Sequence, residues 1–364
     1  MIASVLRTLL WIGVLAPIVH AASPDRRLYV AAPGIRNYLE FGGHGILVFD
    51  IDHDYRCLRR IPAAGLNADG QPMNVKGIAV SVPAQRLYVT TLSKLACYDL
   101  TSDTLVWERA YEGGCDRLAI SPDGKSVVVP SLEKSFWNLI DPATGDILKR
   151  FDGYKSAHNT IVSLDGTRAY LADRHSPLLA EVDLTRGEVS RAIGPFSHFI
   201  RPFTINRQRT RAYVCVDDLL GFEIGDLTTG KKLHRVEVQG FSMGPVKRHS
   251  CPSHGVGLTP DEKQVWVVDA THQRLHVFDN TVEPPRQIDS LEVREQPGWI
   301  TFRLDGRHAW PSTGDVVDVD TRKIVARLAD ETGAPVHSEK MIELHFTDGR
   351  LTAAGDQFGL GRKE

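Results

Sequence analysis

Past its first twenty residues the chain has no apolar run approaching the roughly eighteen residues that a membrane-crossing helix needs. It also lacks an excess of charge. Against 43 Lys and Arg stand 45 Asp and Glu, for a formal net charge of -2. No global field would therefore recruit nucleic acid or an anionic membrane. Helical periodicity of useful length is absent, which excludes a helical interaction module. The five cysteines (Cys57, Cys97, Cys115, Cys215 and Cys251) are odd in number and match no zinc or redox spacing. The fold cannot rest on a disulfide framework. No phosphate loop, nucleophile elbow or metal-hydrolase signature is present. Gly42-Gly43-His44-Gly45 is not a dinucleotide fingerprint, because no helical pattern follows it.

The 364 residues are 42% hydrophobic and 24% charged, a globular composition with apolar mass for a sizeable core. Gly and Pro are frequent, at 31 and 20, as in proteins made of short strands and turns. The N-terminus reads as a targeting segment. Arg7 supplies the positive charge, Leu9 to Val19 is a short apolar run, and Val19-His20-Ala21 offers small residues for cleavage. The expectation is a signal peptide over 1–22, a single domain over 23–364, and a periplasmic or secreted protein with no membrane span in the mature chain.

Internal repetition is the dominant signal. A turn recurs as Ser121-Pro122-Asp123-Gly124, Ser163-Leu164-Asp165-Gly166, Thr259-Pro260-Asp261-Glu262, Leu304-Asp305-Gly306 and Thr347-Asp348-Gly349. Degenerate copies lie at Ser81-Val82-Pro83-Ala84 and Asn206-Arg207-Gln208-Arg209. Aligned on the Asp, most copies are 40 to 44 residues apart, and one gap is about ten longer. Asp accepts bonds from nearby backbone N–H groups, and Gly adopts the positive φ of a tight turn. A second marker is an apolar strand closed by Asp, at Asp50, Asp99, Asp141, Asp183, Asp226, Asp279 and Asp320. Two markers, each present seven times in units of about 40 residues, predict an all-β, seven-bladed β-propeller with four strands per blade. The ends of the chain each carry an incomplete repeat. The strands within Arg27 to Pro62 and the strand Met341 to Phe346 should share one blade and close the ring. The place of Leu351 to Ala354 stays open.

Arg86-Leu87-Tyr88-Val89-Thr90 and Arg27-Leu28-Tyr29-Val30, with the Ser-Pro-Asp-Gly turns, resemble the YVTN-type repeat family over about residues 27 to 350. The resemblance implies an exported bacterial propeller. Relatives of that family bind ligands or partners, and similar propellers include lactonases and polysaccharide lyases. The degenerate turns depart from the pattern, although the flanking strands keep it.

In a propeller the loops leading into the innermost strands crowd one face, where ligands favour the convergent mouth. Seven residues before each aligned turn position stand Lys76, Asp116, His158, Arg201, His254, Gly298 and Met341. The neighbouring positions add Arg117, Asn159, Trp299 and Glu343. A cationic ring with one Trp suits a carboxylate, a phosphate or an acidic sugar. Arg supplies bidentate contacts and the indole a stacking face. A wet channel whose polar groups only hold water is the plainer alternative. The segment Gly34 to His44 is long for a hairpin and brings Arg36, Tyr38 and His44 toward a rim. The longest insertion, Gly240 to His254, gathers His249, Cys251 and His254, a donor set that a divalent transition metal can use. No other cofactor is expected. For catalysis, His158 or His254 could serve as general base and Tyr38 as acid, with Arg117 or Arg201 neutralising a substrate carboxylate. The readings are a binding propeller for a small polar or anionic ligand, carbohydrate included, or for a partner protein; a lyase, hydrolase or lactonase of acidic sugars at the same mouth; and a protein-interaction scaffold.

Overall fold

The computed structural model describes residues 25–63, 65–245 and 251–364. The expected signal peptide and His249 lie outside them. The chain forms seven antiparallel sheets around a central channel, with no α-helix among the described residues. The first blade shows the common order. Val75–Ser81 is innermost, followed outward by Arg86–Thr91, Lys94–Asp99 and Thr104–Ala110. Five more four-stranded sheets repeat it in sequence order.

Burial follows position within the blade. Second strands such as Arg211–Val216 are packed on both faces, and all their residues after the first are buried. β-Branched and aromatic side chains fit there against the neighbouring blades. Outermost strands meet solvent, and in Glu188–Ile193 only Ile193 is buried. Aromatic edge contacts join successive blades, as where Phe222 meets Phe278 at 5.1 Å and Trp266 meets Phe302 at 5.8 Å.

Both sequence markers have the predicted chemistry. Asp123 Oδ1 accepts bonds from Ser121 Oγ at 2.6 Å and from the Lys125 N–H at 3.1 Å, while Gly124 takes φ +69°. In the two degenerate turns Gln85 and Arg209, and in the Thr259 turn Glu262, occupy the left-handed region that Gly fills elsewhere. At the strand-closing marker Asp141 Oδ1 accepts the Ala143 N–H at 2.8 Å. One position is corrected. In the sixth blade the closing residue is Asp318, which accepts the Thr321 N–H at 2.7 Å, and not Asp320. Val316-Val317 and Val319 offer two registers to the same pattern, and only sheet pairing selects between them.

The ring closes as expected, with Met341–Thr347 pairing antiparallel to Asp25–Ala32. Arg350–Ala354 adds a fifth strand on the channel side of Met341–Thr347. From it the chain crosses the channel. Gln357 accepts the Ile78 N–H at 3.2 Å and donates to Leu118 O at 2.9 Å. Gly359 O accepts from the Leu258 N–H at 2.8 Å and Thr204 Oγ1 at 2.7 Å. The Gly361 N–H donates to Ile205 O at 3.0 Å. Phe358 and Leu360 are buried in the apolar cluster of blades two to four.

The tail is thus part of the core. Phe358→Ala should lower stability by about 3 kcal/mol, the scale of a buried Phe truncation. Urea unfolding of the variant checks this, and an unchanged midpoint would mean that the tail only rests in the channel.

Candidate binding site at the channel mouth

A cavity of about 520 Å³ opens where the loops lead into the inner strands. Eight sequence-predicted residues line it: Arg36, Lys76, Asp116, Arg117, His158, Asn159, Arg201 and His254. All but Arg36 converge because each begins, or just precedes, an inner strand, and the ring brings those starts to one face; Arg36 reaches it from the loop between Asp25–Ala32 and Gly45–Asp50. The isolated parallel bridge between Arg117 and Asn159 joins two adjacent blades at this point.

The charges are buried in shared pairs. Asp116, 1% exposed, accepts from His158 Nδ1 at 2.7 Å and lies 3.2 Å from Lys76 Nζ. Burial alone would raise its carboxyl pKa. The charge of Lys76, the hydrogen bond from His158 and the charge of Arg117 outweigh that and hold it well below the usual carboxylate range. Burial also lowers the pKa of His158, against the pull of Asp116. The ring is then neutral at pH 7, with Nδ1–H donated to Asp116. Arg201 makes a two-point pair with Asp217, one arm at 2.9 Å. Arg117 reaches Glu339 at 3.0 Å and lies 3.3 Å above the Trp299 ring.

Several lining residues escape the sequence reading. Glu339 and Lys340 come two residues and one residue ahead of the aligned position Met341, and their side chains meet at 2.8 Å. Glu133 and Arg174 pair across the rim from loops that follow second strands. Antiparallel pairing was the available signal, since a second strand ends at the face where its inner strand begins. Among the described residues six Arg and Lys side chains and three carboxylates line the cavity. Among the described residues both amide atoms of Asn159 have no hydrogen-bond partner, although the residue is only 1% exposed.

Other predicted residues lie elsewhere. Trp299 sits beneath the cavity with one face under Arg117 and its N–H donated to Gln357 O, so it offers no open stacking face. Glu343 lies farther down the channel, accepting from the Leu304 N–H at 2.6 Å and bonded to His345 at 2.7 Å. Tyr38 is an exposed loop residue packed near Phe41 and does not line the cavity. His254 turns Nδ1 to Gly298 O at 3.1 Å. Cys251 points its thiol at Val216 O and Ser253 O. Among the described residues no group of three His, Cys, Asp or Glu is placed to hold a metal ion. A second cavity, of about 270 Å³, lies on the other side of the tail, and its walls are mostly aliphatic.

No family model matches the chain, and no curated protein matches it. Among solved structures it is similar to Kuenenia stuttgartiensis hydrazine synthase, with a TM-score of 0.60 at 13% identity over 79% of this chain and 91% of that chain. At that identity the likeness is one of fold.

Lys340 makes the site sensitive to pH. Burial, reinforced by Arg117 and Lys76 and opposed by Glu339, pushes its pKa down to about 7. In the unfolded chain the group titrates near 10.4. Between those values the unfolded state holds more protons, so stability rises with pH, by at most about 1.4 kcal/mol per pH unit from this group. Denaturant midpoints should climb from about pH 7.5 to about pH 9, and Lys340→Met should flatten that slope. An equal slope in the variant would show that Lys340 stays charged in the fold.

Proposed function

We propose that this seven-bladed propeller binds a small anionic ligand, a carboxylate or phosphate with neighbouring polar groups, at the mouth of its channel. The observation that carries the reading is the excess of basic groups: among the described residues six Arg and Lys side chains, Lys340 with its pKa of about 7 included, face three carboxylates around one concavity, with Asp217 behind Arg201. Such an excess in a partly desolvated cup favours an anion, because each attraction is less screened there than in open water. The shared ion pairs hold the cations in place before a ligand arrives, which reduces the ordering cost of binding. The unpartnered Asn159 amide adds one donor and one acceptor in the wall, suited to a hydroxyl or carbonyl beside the acidic group. Arg7, the apolar run to Val19 and the small residues after it support export to the periplasm or beyond. The repeat signature supports placing the chain among YVTN-type propellers.

Calorimetry with inorganic phosphate, L-malate, D-gluconate and D-galacturonate tests the reading. A ligand at about a hundredfold excess over its Kd should stabilise the fold by about 2.7 kcal/mol. Asn159→Val discriminates between a binding wall and a structural one. It removes a buried amide without partners, so stability should hold or rise while affinity falls by about tenfold, the worth of one hydrogen bond in such a site. Absence of binding by every probe would overturn the assignment.

A further inference from the structure

The cup holds more than the means to attract an anion. Asp116 and His158 come from adjacent blades and meet at 2.7 Å through Nδ1. Lys76, from a third blade, holds the other oxygen of Asp116 at 3.2 Å. Asp116 is therefore fixed from two sides, and it fixes the imidazole in turn. With Nδ1–H committed to the carboxylate, the second ring nitrogen carries the lone pair, and His158 lines the cavity. A structural histidine would have both nitrogens engaged, as His276 does between Asp269 at 3.2 Å and Ser290 at 2.7 Å. His158 has one.

The surroundings of this base are also specific. Arg117 and Lys340 share Glu339 on the same cavity wall. Removing a proton from the carbon next to a carboxylate places a second negative charge on that carboxylate. Preorganised cations at that point are what such a step requires.

We propose that the mouth is a proton-abstraction centre, in which His158, oriented by Asp116, removes the α-proton of a bound 2-hydroxy or sugar carboxylate. This rests on the anion-site reading above. In the step the Cα–H bond breaks and its proton passes to the free ring nitrogen of His158. The electron pair moves into the Cα–carboxylate bond to give an enediolate. Arg117 and Lys76 offset its added charge, joined by Lys340 when that group is protonated. Return of a proton from the imidazolium to Cα closes the cycle, so no oxidant, reductant or metal takes part. Asp116 stabilises the imidazolium and is a positioning residue. Tyr38 is excluded from the step by its exposed place outside the cavity, and His254 is the weaker base because its Nδ1 meets the uncharged Gly298 O, which cannot offset an imidazolium as the Asp116 carboxylate does.

The test is α-proton exchange in D2O, followed by proton NMR, using the full chain with L-malate, D-gluconate and D-galacturonate. Calorimetry on the same samples reports binding. Loss of the α-proton signal from a bound probe is the expected result. His158→Gln should slow exchange by at least about a hundredfold per bound probe, with occupancy set by calorimetry so that a change in affinity does not enter the rate. Asp116→Asn should slow it less and move its pH profile, because the charge on which the imidazolium depends is gone. Probes that bind without exchanging, or exchange that survives His158→Gln, would overturn the proposal while leaving the anion site standing. If no probe binds, the anion-site reading fails and this one fails with it.

Discussion

Seven inner strands around one axis enclose more room than their own side chains fill, and the C-terminal tail resolves that mismatch. Buried backbone polar groups need partners and buried voids forfeit contacts, so an unfilled channel of this width would hold water along its length. Arg350–Ala354 adds a strand inside the ring, and residues beyond it cross to the inner strands of distant blades. Phe358 and Leu360 bring apolar volume to the axis. The channel becomes two unlike cavities, a charged cup at the face where the inner strands begin and an aliphatic one where they end.

The cup depends on that partition. Its lowest part is Arg117, stacked on Trp299, and Trp299 is held by the tail through Gln357. A buried guanidinium is costly to desolvate, and it persists here because Glu339 and an aromatic face both offset the loss. Burial still leaves its mark, since the Arg117 pKa is lowered to about 10. The same arrangement recurs around the rim. Asp116 serves Lys76 and His158, Glu339 serves Arg117 and Lys340, and Asp217 serves Arg201. Each carboxylate fixes the cations it neutralises, so the cup is rigid before it is occupied.

Much of this was readable from the residues in order. The Asp-Gly turns and Asp-closed strands act within a few residues, so their chemistry survives in the sequence and fixes blade number and phase. Alignment of those turns then brought Lys76, Asp116, Arg117, His158, Asn159 and Arg201 to one face, where they are found together. The slip from Asp318 to Asp320 shows the limit of local pattern. Alternating Val and Asp permit two strand ends, and the choice falls to pairing with Ile324–Arg327 and His308–Pro311. Trp299 and Glu343 carried the right position along the chain but not the right surroundings, because Arg117 and the turn at Leu304 had already taken their polar or aromatic faces.

The sequence by itself determined the closed ring of seven blades, the sharing of one blade by the two ends, and the face on which the polar lead-in residues gather. Those follow from short-range turn chemistry and from a fixed repeat length. Only the tertiary structure decided that the tail fills the channel, that Glu339 and Lys340 join the cup, and that Asn159 is left with an unpartnered amide. Each of these depends on residues far apart in the chain meeting across the axis. No local periodicity records such a meeting, because its energy comes from packing and charge pairing that exist only once the ring has closed.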